Sequence, residues 1–447
     1  MSSLKKTIYI PIEIKAREFN SKILFALRAA DRGYRVYLGT KQGLHDLFRA
    51  RGGKSGIYFY KSGNLRDRIR IVRDYCEKLI VLDEEMGVAA REVDKYYLPR
   101  TENHGEIDQY YVISEKHRRV LRGLRPEMEG RIFVTGWPRV DLWRREFDRI
   151  HADEIARISG EYGRFFLFSS DFSFVSERSI DSALERLVLR EDRPDVLKAD
   201  EALFRRLHAE CRAFIRVLHE IDADPGFPPI VVRPHPAEDH EAWFEALRGL
   251  KKVKVAFRGE ITPWLLAAEG LIHRGCTTAV QAWFSGKPTF FWLPPGGEAP
   301  RKDLLPYRLS TVVSDLDALR GGLQAVMAGN YRPAPPDDDI SDEIYVPERL
   351  ACDLILDRVD GLAVAAEPLV DVGLPAALRS SARDLWVRVM DGIGFLRDEY
   401  KSKKRGRKLG GGIGAEEVRQ IAGHFCGDGA VTVARVVNNV VVVEKRS

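Results

Sequence analysis

Two kinds of apolar pattern alternate along the first 330 residues. Short β-branched and aromatic runs give way to stretches with apolar residues at helical spacing. Ile8–Ile14 (IYIPIEI) reads as a strand. Asn20 or Ser21 caps a helix in which Ile23, Leu24, Leu27 and Ala30 share a face, and Gly33 ends it. Tyr34–Leu38 returns to strand. A β-α-β unit of about thirty residues makes its two strands parallel, with the helix crossing over. Further strands at Gly56–Tyr60, Lys78–Leu82, Tyr110–Ser114 and Arg131–Thr135, with helical stretches between most of them, predict a doubly wound α/β domain.

Residues 145–163 read as a helical linker, after which the pattern restarts. Phe165–Ser169 is a strand, and Leu184–Ile221 is mostly helix. Pro229–Arg233, Val253–Phe257, Gly270–His273 and Pro288–Leu293 are strands, with helices at Glu238–Leu250, Pro263–Glu269 and Thr277–Gly286. The expected fold is α/β: two tandem Rossmann-like domains facing a cleft that collects loops from the carboxyl ends of the strands. The domains span 1–150 and 151–331. Residues 332–447 form a connector, RPAPPDDDISD, and a mixed α/β extension. That extension carries a basic run, Lys401–Lys408, and ends in a hairpin whose two-residue turn is Asn438–Asn439.

Composition narrows the class. Of 447 residues, 45% are hydrophobic and 31% charged, a globular balance that excludes a disordered or fibrous chain. Five scattered Cys without a CxxC pair give neither a disulfide framework nor a structural zinc site, and suggest a reducing, cytoplasmic compartment. The start, MSSLKKTIYIPIEIK, does not read as a signal peptide, and no run approaches the roughly 20 apolar residues of a membrane span. A net charge of +5 suits an anionic substrate or surface better than nucleic acid. The chain has no GxGxxG in its first βα turn, and no Walker A, HExxH or GxSxG motif. A dinucleotide-dependent dehydrogenase is thereby disfavoured, and no cofactor or metal is expected. Asp222-Ala-Asp224 and Asp315-Leu-Asp317 have a metal-like spacing, but each sits near a helix end and reads as a cap or turn.

Five clusters carry candidate chemistry. In VVRPHP a buried strand ends in Arg233 and His235, a planar donor fork and a titratable ring, both suited to phosphate. In HRGCTTA a strand runs through Gly275 to a helix start at Thr277 or Thr278, where free amides and hydroxyls suit an anion; a plain N-cap would look the same. In VLDEE, Glu84 or Glu85 follows a strand as a candidate general base, although acids also favour helix starts. Glu13, Lys15 and Arg17 close the first strand as candidate substrate contacts. Asp171, after Phe165–Ser169, is a further substrate contact or nucleophile. The turn GWPRVD (Gly136–Asp141) reads as structural, with Asp141 capping the next helix.

These motifs together resemble GT-B-type glycosyltransferases and, more closely, the bacterial surface carbohydrate biosynthesis protein family. IPIEIKAREFNSKILFALRAADRGYRVYLG, LDEE and VVRPHPAEDHEAW carry the likeness, which covers about residues 7–310. The His-Pro and paired-hydroxyl motifs are also similar to those of bacterial sialyl- and Kdo-transferases, which use CMP-activated sugars, and of CDP-glycerol glycerophosphotransferases. The resemblance implies that His235, Thr277 and Thr278 contact the phosphate of a cytidine nucleotide, with Arg233 assisting. Near Asp171 the family pattern more often shows an amide, which disfavours a nucleophilic role.

The expected activity is metal-independent glycosyl transfer in surface polysaccharide or glycoconjugate biosynthesis. A CMP-linked ulosonic or nonulosonic acid is the favoured donor, and a glycan, lipid-linked or protein-linked acceptor its partner. The location is cytoplasmic; the basic run reads as a solvated face or tail, or alternatively as a peripheral contact with anionic lipid at the inner membrane. A nucleotide-sugar epimerase, a CDP-polyol phosphotransferase and a non-catalytic nucleotide-sugar-binding assembly protein are the alternatives.

Overall fold

A computed structural model describes residues 4–61, 66–84, 93–172, 194–236, 238–293, 304–333, 340–370, 412–426 and 429–446. The chain divides into two compact α/β units, Met1–Ile150 with Asp339–Ser447, and His151–Asp338.

In the first unit, β1 (Lys5–Ile12), β2 (Arg35–Thr40), β3 (Ile57–Tyr60), β4 (Lys78–Leu82), β5 (Gln109–Val112) and β6 (Ile132–Val134) pair in parallel. Their order is β2-β1-β3-β4-β5-β6. β1 is buried from Thr7 to Ile12 on both faces, which explains its unbroken apolar run. The first helix, Lys15–Asp31, starts before the expected Asn20 or Ser21 cap. Glu18 replaces that cap: its Oε1 accepts the backbone amides of Glu13 and Ile14, the latter at 2.7 Å. Gly33 ends the segment at φ +88°, in the left-handed region, as the sequence implied.

The second unit contains β7 (Phe166–Ser169), β8 (Ile230–Arg233), β9 (Val253–Val255), β10 (Gly270–His273), β11 (Thr289–Trp292) and β12 (Thr311–Val313). β12 is short and half exposed, and its apolar signal is too weak to read from sequence. The parallel order is β9-β8-β7-β10-β11-β12. By position in the chain this is 3-2-1-4-5-6, the doubly wound dinucleotide-fold order. The helix Pro194–Ala223 covers one face, stacking Phe214 on Phe168 at 4.1 Å between ring centres. The earlier part of the expected helix, 184–193, lies outside the described residues.

The described parts of the C-terminal segment do not stand apart as an extension. They complete the first unit. β13 (Ala366–Glu367) pairs with the start of β1 at Lys5 and Lys6. β14 (Val431–Val437) and β15 (Val440–Lys445) form the expected hairpin, with Asn439 at φ 58° in its turn. β15 then adds antiparallel to β2, pairing Val441 with Leu38 and Val443 with Val36. The described sheet thereby has nine strands. The basic run Lys401–Lys408 lies outside the described residues. Among those described, no helix is long and apolar enough to cross a membrane.

Candidate functional site

Ligands of open α/β sheets bind beyond the carboxyl ends of the strands, where the strand order reverses. In the second unit that point lies between β7 and β10. Three loops meet around it: Ser170–Phe172 after β7, Pro234–Glu238 after β8, and Arg274–Thr277 after β10.

Hydrogen bonds lock the first two loops together. The amide of His235 donates to Ser170 Oγ at 3.1 Å, and that hydroxyl donates to Glu238 Oε2 at 2.7 Å. Glu238 also accepts the amide of Phe172 and Nε1 of Trp243, each at 2.7 Å. It is fully buried, and desolvation pushes its carboxyl up to about 7. His235 is half buried at the rim, with its carbonyl 3.1 Å from Nε2 of His240. Asp171 stands exposed on the neighbouring loop.

Arg233 is placed differently from expectation. Its Nη1 donates to Arg258 O at 2.8 Å and its Nη2 to Gly259 O at 2.6 Å, and the guanidinium lies 5.4 Å from the rings of Phe257 and Trp264. Burial lowers its pKa to about 10. The side chain is an internal clamp on the loop after β9, not a donor to an incoming phosphate. The arginine of the third loop is also engaged: Arg274 pairs with Glu210 and lies 4.3 Å over the ring of Phe172.

The loop after β10 turns at Gly275, whose φ of +122° few side chains adopt. Its amide donates to Nδ1 of the fully buried His273 at 2.9 Å, and Nε2 of that ring pairs with Ser310 Oγ at 2.8 Å. Nδ1 must accept, so the ring is neutral, and burial lowers its pKa to about 3. The helix Thr278–Phe284 follows. Thr277 is already helical, at φ −65° and ψ −15°, and its hydroxyl makes no cap bond. The plain N-cap reading therefore fails for this residue.

In the first unit the strand order reverses between β1 and β3, and charged residues crowd the strand ends there. Glu13 pairs with both Lys41 and Lys61. Glu84 is buried 2.8 Å from Lys22 and accepts the Arg139 amide at 3.4 Å. Desolvation would raise its pKa, but the charges of Lys22 and Arg139 outweigh it and hold the carboxyl below its ordinary value. Glu18 goes the other way, because desolvation prevails over the lowering by Lys22. Ile14, Arg17, Glu18, Lys61, Glu84 and Arg139 line a small cavity. Lys15 turns to the C-terminal segment, donating to Gly412 O at 2.8 Å and pairing with Glu417 at 2.5 Å. It is a tie to that segment rather than a substrate contact. Glu85 lies outside the described residues.

Asp141 caps a helix far along the chain rather than the next one. It accepts the amides of Ala351 at 2.8 Å and Cys352 at 3.0 Å, at the start of the helix Ala351–Asp360. Of the two Asp-x-Asp pairs, Asp315 caps its helix at the Ala318 amide as expected, whereas Asp222 accepts the amides of Lys251, Lys252 and Val253 at the start of a distant strand.

Sequence reading had no means to single out Ser170, Glu238 or Lys22. Ser170 sits in an apolar strand end, Glu238 looks like an acid at a helix start, and Lys22 looks like a helix-surface lysine. Each matters through a partner distant in the chain.

No family model and no curated protein matches the sequence. Solved structures similar to the chain include UDP-GlcNAc 2-epimerase of Methanocaldococcus jannaschii in complex with UDP-GlcNAc and UDP. Identity is 12%, coverage 80% of this chain and 99% of that one, and the TM-score 0.45. A putative UDP-N-acetylglucosamine 2-epimerase of Listeria monocytogenes gives 11%, 80%, 96% and 0.47. The wall teichoic acid polymerase TagF gives 12%, 80%, 89% and 0.39.

Proposed function

We propose that the protein is a GT-B-type glycosyltransferase of surface polysaccharide or glycoconjugate biosynthesis. The second unit binds the nucleotide-sugar donor and the first unit the acceptor. The observation that supports this reading is the β7/β10 reversal, with the His235 turn bonded to the β7 loop and the Gly275–Thr278 turn at the end of β10, both beyond one parallel sheet. Both turns suit a phosphate. The His235 ring, the Thr277 and Thr278 hydroxyls and the amides that follow Gly275, whose own amide is held by His273, stabilise charge on the leaving phosphate as the glycosidic C–O bond breaks. The acceptor oxygen forms the new bond to the anomeric carbon and gives its proton to a carboxylate of the first unit. Glu84, the candidate base, lines the cavity of the first unit with Glu18 beside it and is held ionised by Lys22 and Arg139. A CMP-linked acidic sugar is the favoured donor, on the strength of the motif resemblance.

The test is a thermal-shift series with CMP, CDP, UDP and GDP, followed by product analysis with the matching nucleotide sugar. A ligand bound only by the folded chain raises the melting temperature. Cytidine nucleotides are expected to do so, and His235→Ala to reduce the shift. Stabilisation by UDP or GDP alone would remove the cytidine assignment. An epimer formed without acceptor would replace transfer by epimerisation.

A further inference from the structure

A glycine at position 275 reaches φ +122° without strain, but it can leave that conformation as easily. Something else must select it. The Gly275 amide donates to Nδ1 of His273 at 2.9 Å. Nε2 of the same ring lies 2.8 Å from Ser310 Oγ, and that hydroxyl donates to Pro306 O at 2.7 Å. The one proton of Ser310 is thereby placed on Pro306, so towards the ring the hydroxyl can only accept. Nε2 therefore carries the ring proton, and Nδ1 is the acceptor that the Gly275 amide requires. Each end of the ring fixes the same tautomer independently. The ring is fully buried and meets Phe291 at 5.3 Å between ring centres, with the planes at 83°. Burial lowers its pKa to about 3, so it stays neutral where the chain is folded at neutral pH.

We propose that His273 is a positioning residue for the donor's phosphate: its Nε2–H tautomer holds the Gly275 amide and so pre-sets the Gly275–Thr278 turn that receives the phosphate. This role rests on the nucleotide-binding reading above. Fully buried, the ring does not itself touch the ligand. It acts on the cost of ordering, because a turn already fixed at Gly275 loses less conformational freedom when a phosphate binds. An apolar side chain of similar size would fill the same space and leave the Gly275 amide to find another acceptor.

The test is calorimetry on the full chain with CMP, UMP and GMP, each against its nucleoside, so that every pair isolates the phosphate. His273→Gln keeps a donor near the position of Nε2 but removes the acceptor of the Gly275 amide. His273→Asn does the reverse, with an oxygen near the position of Nδ1 and no bond to Ser310. His273→Gln should weaken nucleotide binding about tenfold, the scale of one hydrogen bond to a charged group, and leave nucleoside binding unchanged. His273→Asn should bind the nucleotide more tightly than His273→Gln, whichever of the two melts lower. A merely structural role would lower binding in step with stability and would not sort the variants by the nitrogen they replace. Ring ¹⁵N spectra of the wild-type chain need no variant: His273 should show the Nε2–H tautomer throughout pH 5 to 8. An Nδ1–H tautomer or an imidazolium there overturns the proposal even should both variants unfold. So does a phosphate increment equal in wild type and His273→Gln. An increment seen with UMP or GMP alone, and lost in His273→Gln, upholds the role and removes only the cytidine assignment. A wild-type chain that binds no nucleotide more tightly than its nucleoside overturns the role together with the nucleotide-binding reading.

Discussion

Lys22 Nζ lies 2.8 Å from Glu84 Oε2, and both side chains are buried. The bond joins the helix Lys15–Asp31 to the end of β4, and so fixes one wall of the charged cavity. A buried pair gains little over an apolar replacement but is costly to break on one side, because the surviving charge stays desolvated. Lys22→Met should therefore destabilise the chain by about 3–5 kcal/mol in urea unfolding. Lys22→Met with Glu84→Leu should recover most of that loss. Equal losses in the single and double variants would show that the two charges are not coupled. The folded pKa of Glu84 lies below its unfolded value near 4.5. Its contribution is therefore present above that pH and is lost as pH falls through the folded pKa.

His235 contributes its amide to the fold, and its ring is the proposed donor to the leaving phosphate. The amide bond to Ser170 survives replacement of the ring. His235→Ala should thus keep its melting temperature within about 2 °C and lose transfer by about 10²–10³-fold, the range for removing one donor to a developing oxyanion. Ser170→Ala removes the acceptor of that amide and a donor to buried Glu238, and should cost about 1–3 kcal/mol of stability. Undiminished transfer by His235→Ala on the true donor would take the ring out of the mechanism.

The C-terminal hairpin needs glycines on the strand and helix that it covers. A Cβ on Gly39 would stand 2.8 Å from Val440 Cγ2 and 3.1 Å from Asn439 O. One on Gly43 would stand 2.7 Å from the same methyl group and 3.0 Å from Asn438 O. Overpacking of this kind costs about 1–3 kcal/mol. Gly39→Ala should lose stability in that range, and adding Val440→Ala should return part of it. A Gly39→Ala chain as stable as wild type would mean that the hairpin does not seat tightly on β2.

Local pattern explains how much of this was readable. Lys78–Leu82 and Gly270–His273 match their strands end to end, because each is a short apolar run between polar breaks. Asn438–Asn439 announces its own turn. Other features depend on partners distant in the chain. Val440–Val443 reads equally well as an isolated hairpin strand and as the strand that pairs with β2. Arg233 reads as a phosphate ligand until the carbonyls of Arg258 and Gly259 are found beside it. Glu84 and Glu18 look alike in sequence, and only Lys22, Arg139 and burial push their proton affinities apart.

Glu238 should reveal itself as a pH dependence of stability. Its folded pKa, about 7, lies above the ordinary carboxyl value of 4.5 because it is desolvated among Ser170, Phe172 and Trp243. Between those two values the folded chain holds the proton that the unfolded chain releases. The stabilising contribution is complete below pH 4.5 and is lost as pH rises through 7, at up to about 1.4 kcal/mol per pH unit. His273, neutral with a pKa near 3, acts in the opposite direction on the acid side of 6.5 and overlaps part of this window. Glu238→Gln isolates the first effect. Subtracting the variant's urea-unfolding profile from that of wild type should leave a fall from pH 5 to pH 8, with His273 cancelled. Parallel profiles would mean that Glu238 does not hold its proton in the folded chain. The β7 and β8 loops would then be joined by an ionised carboxylate, stabilised by its three donors.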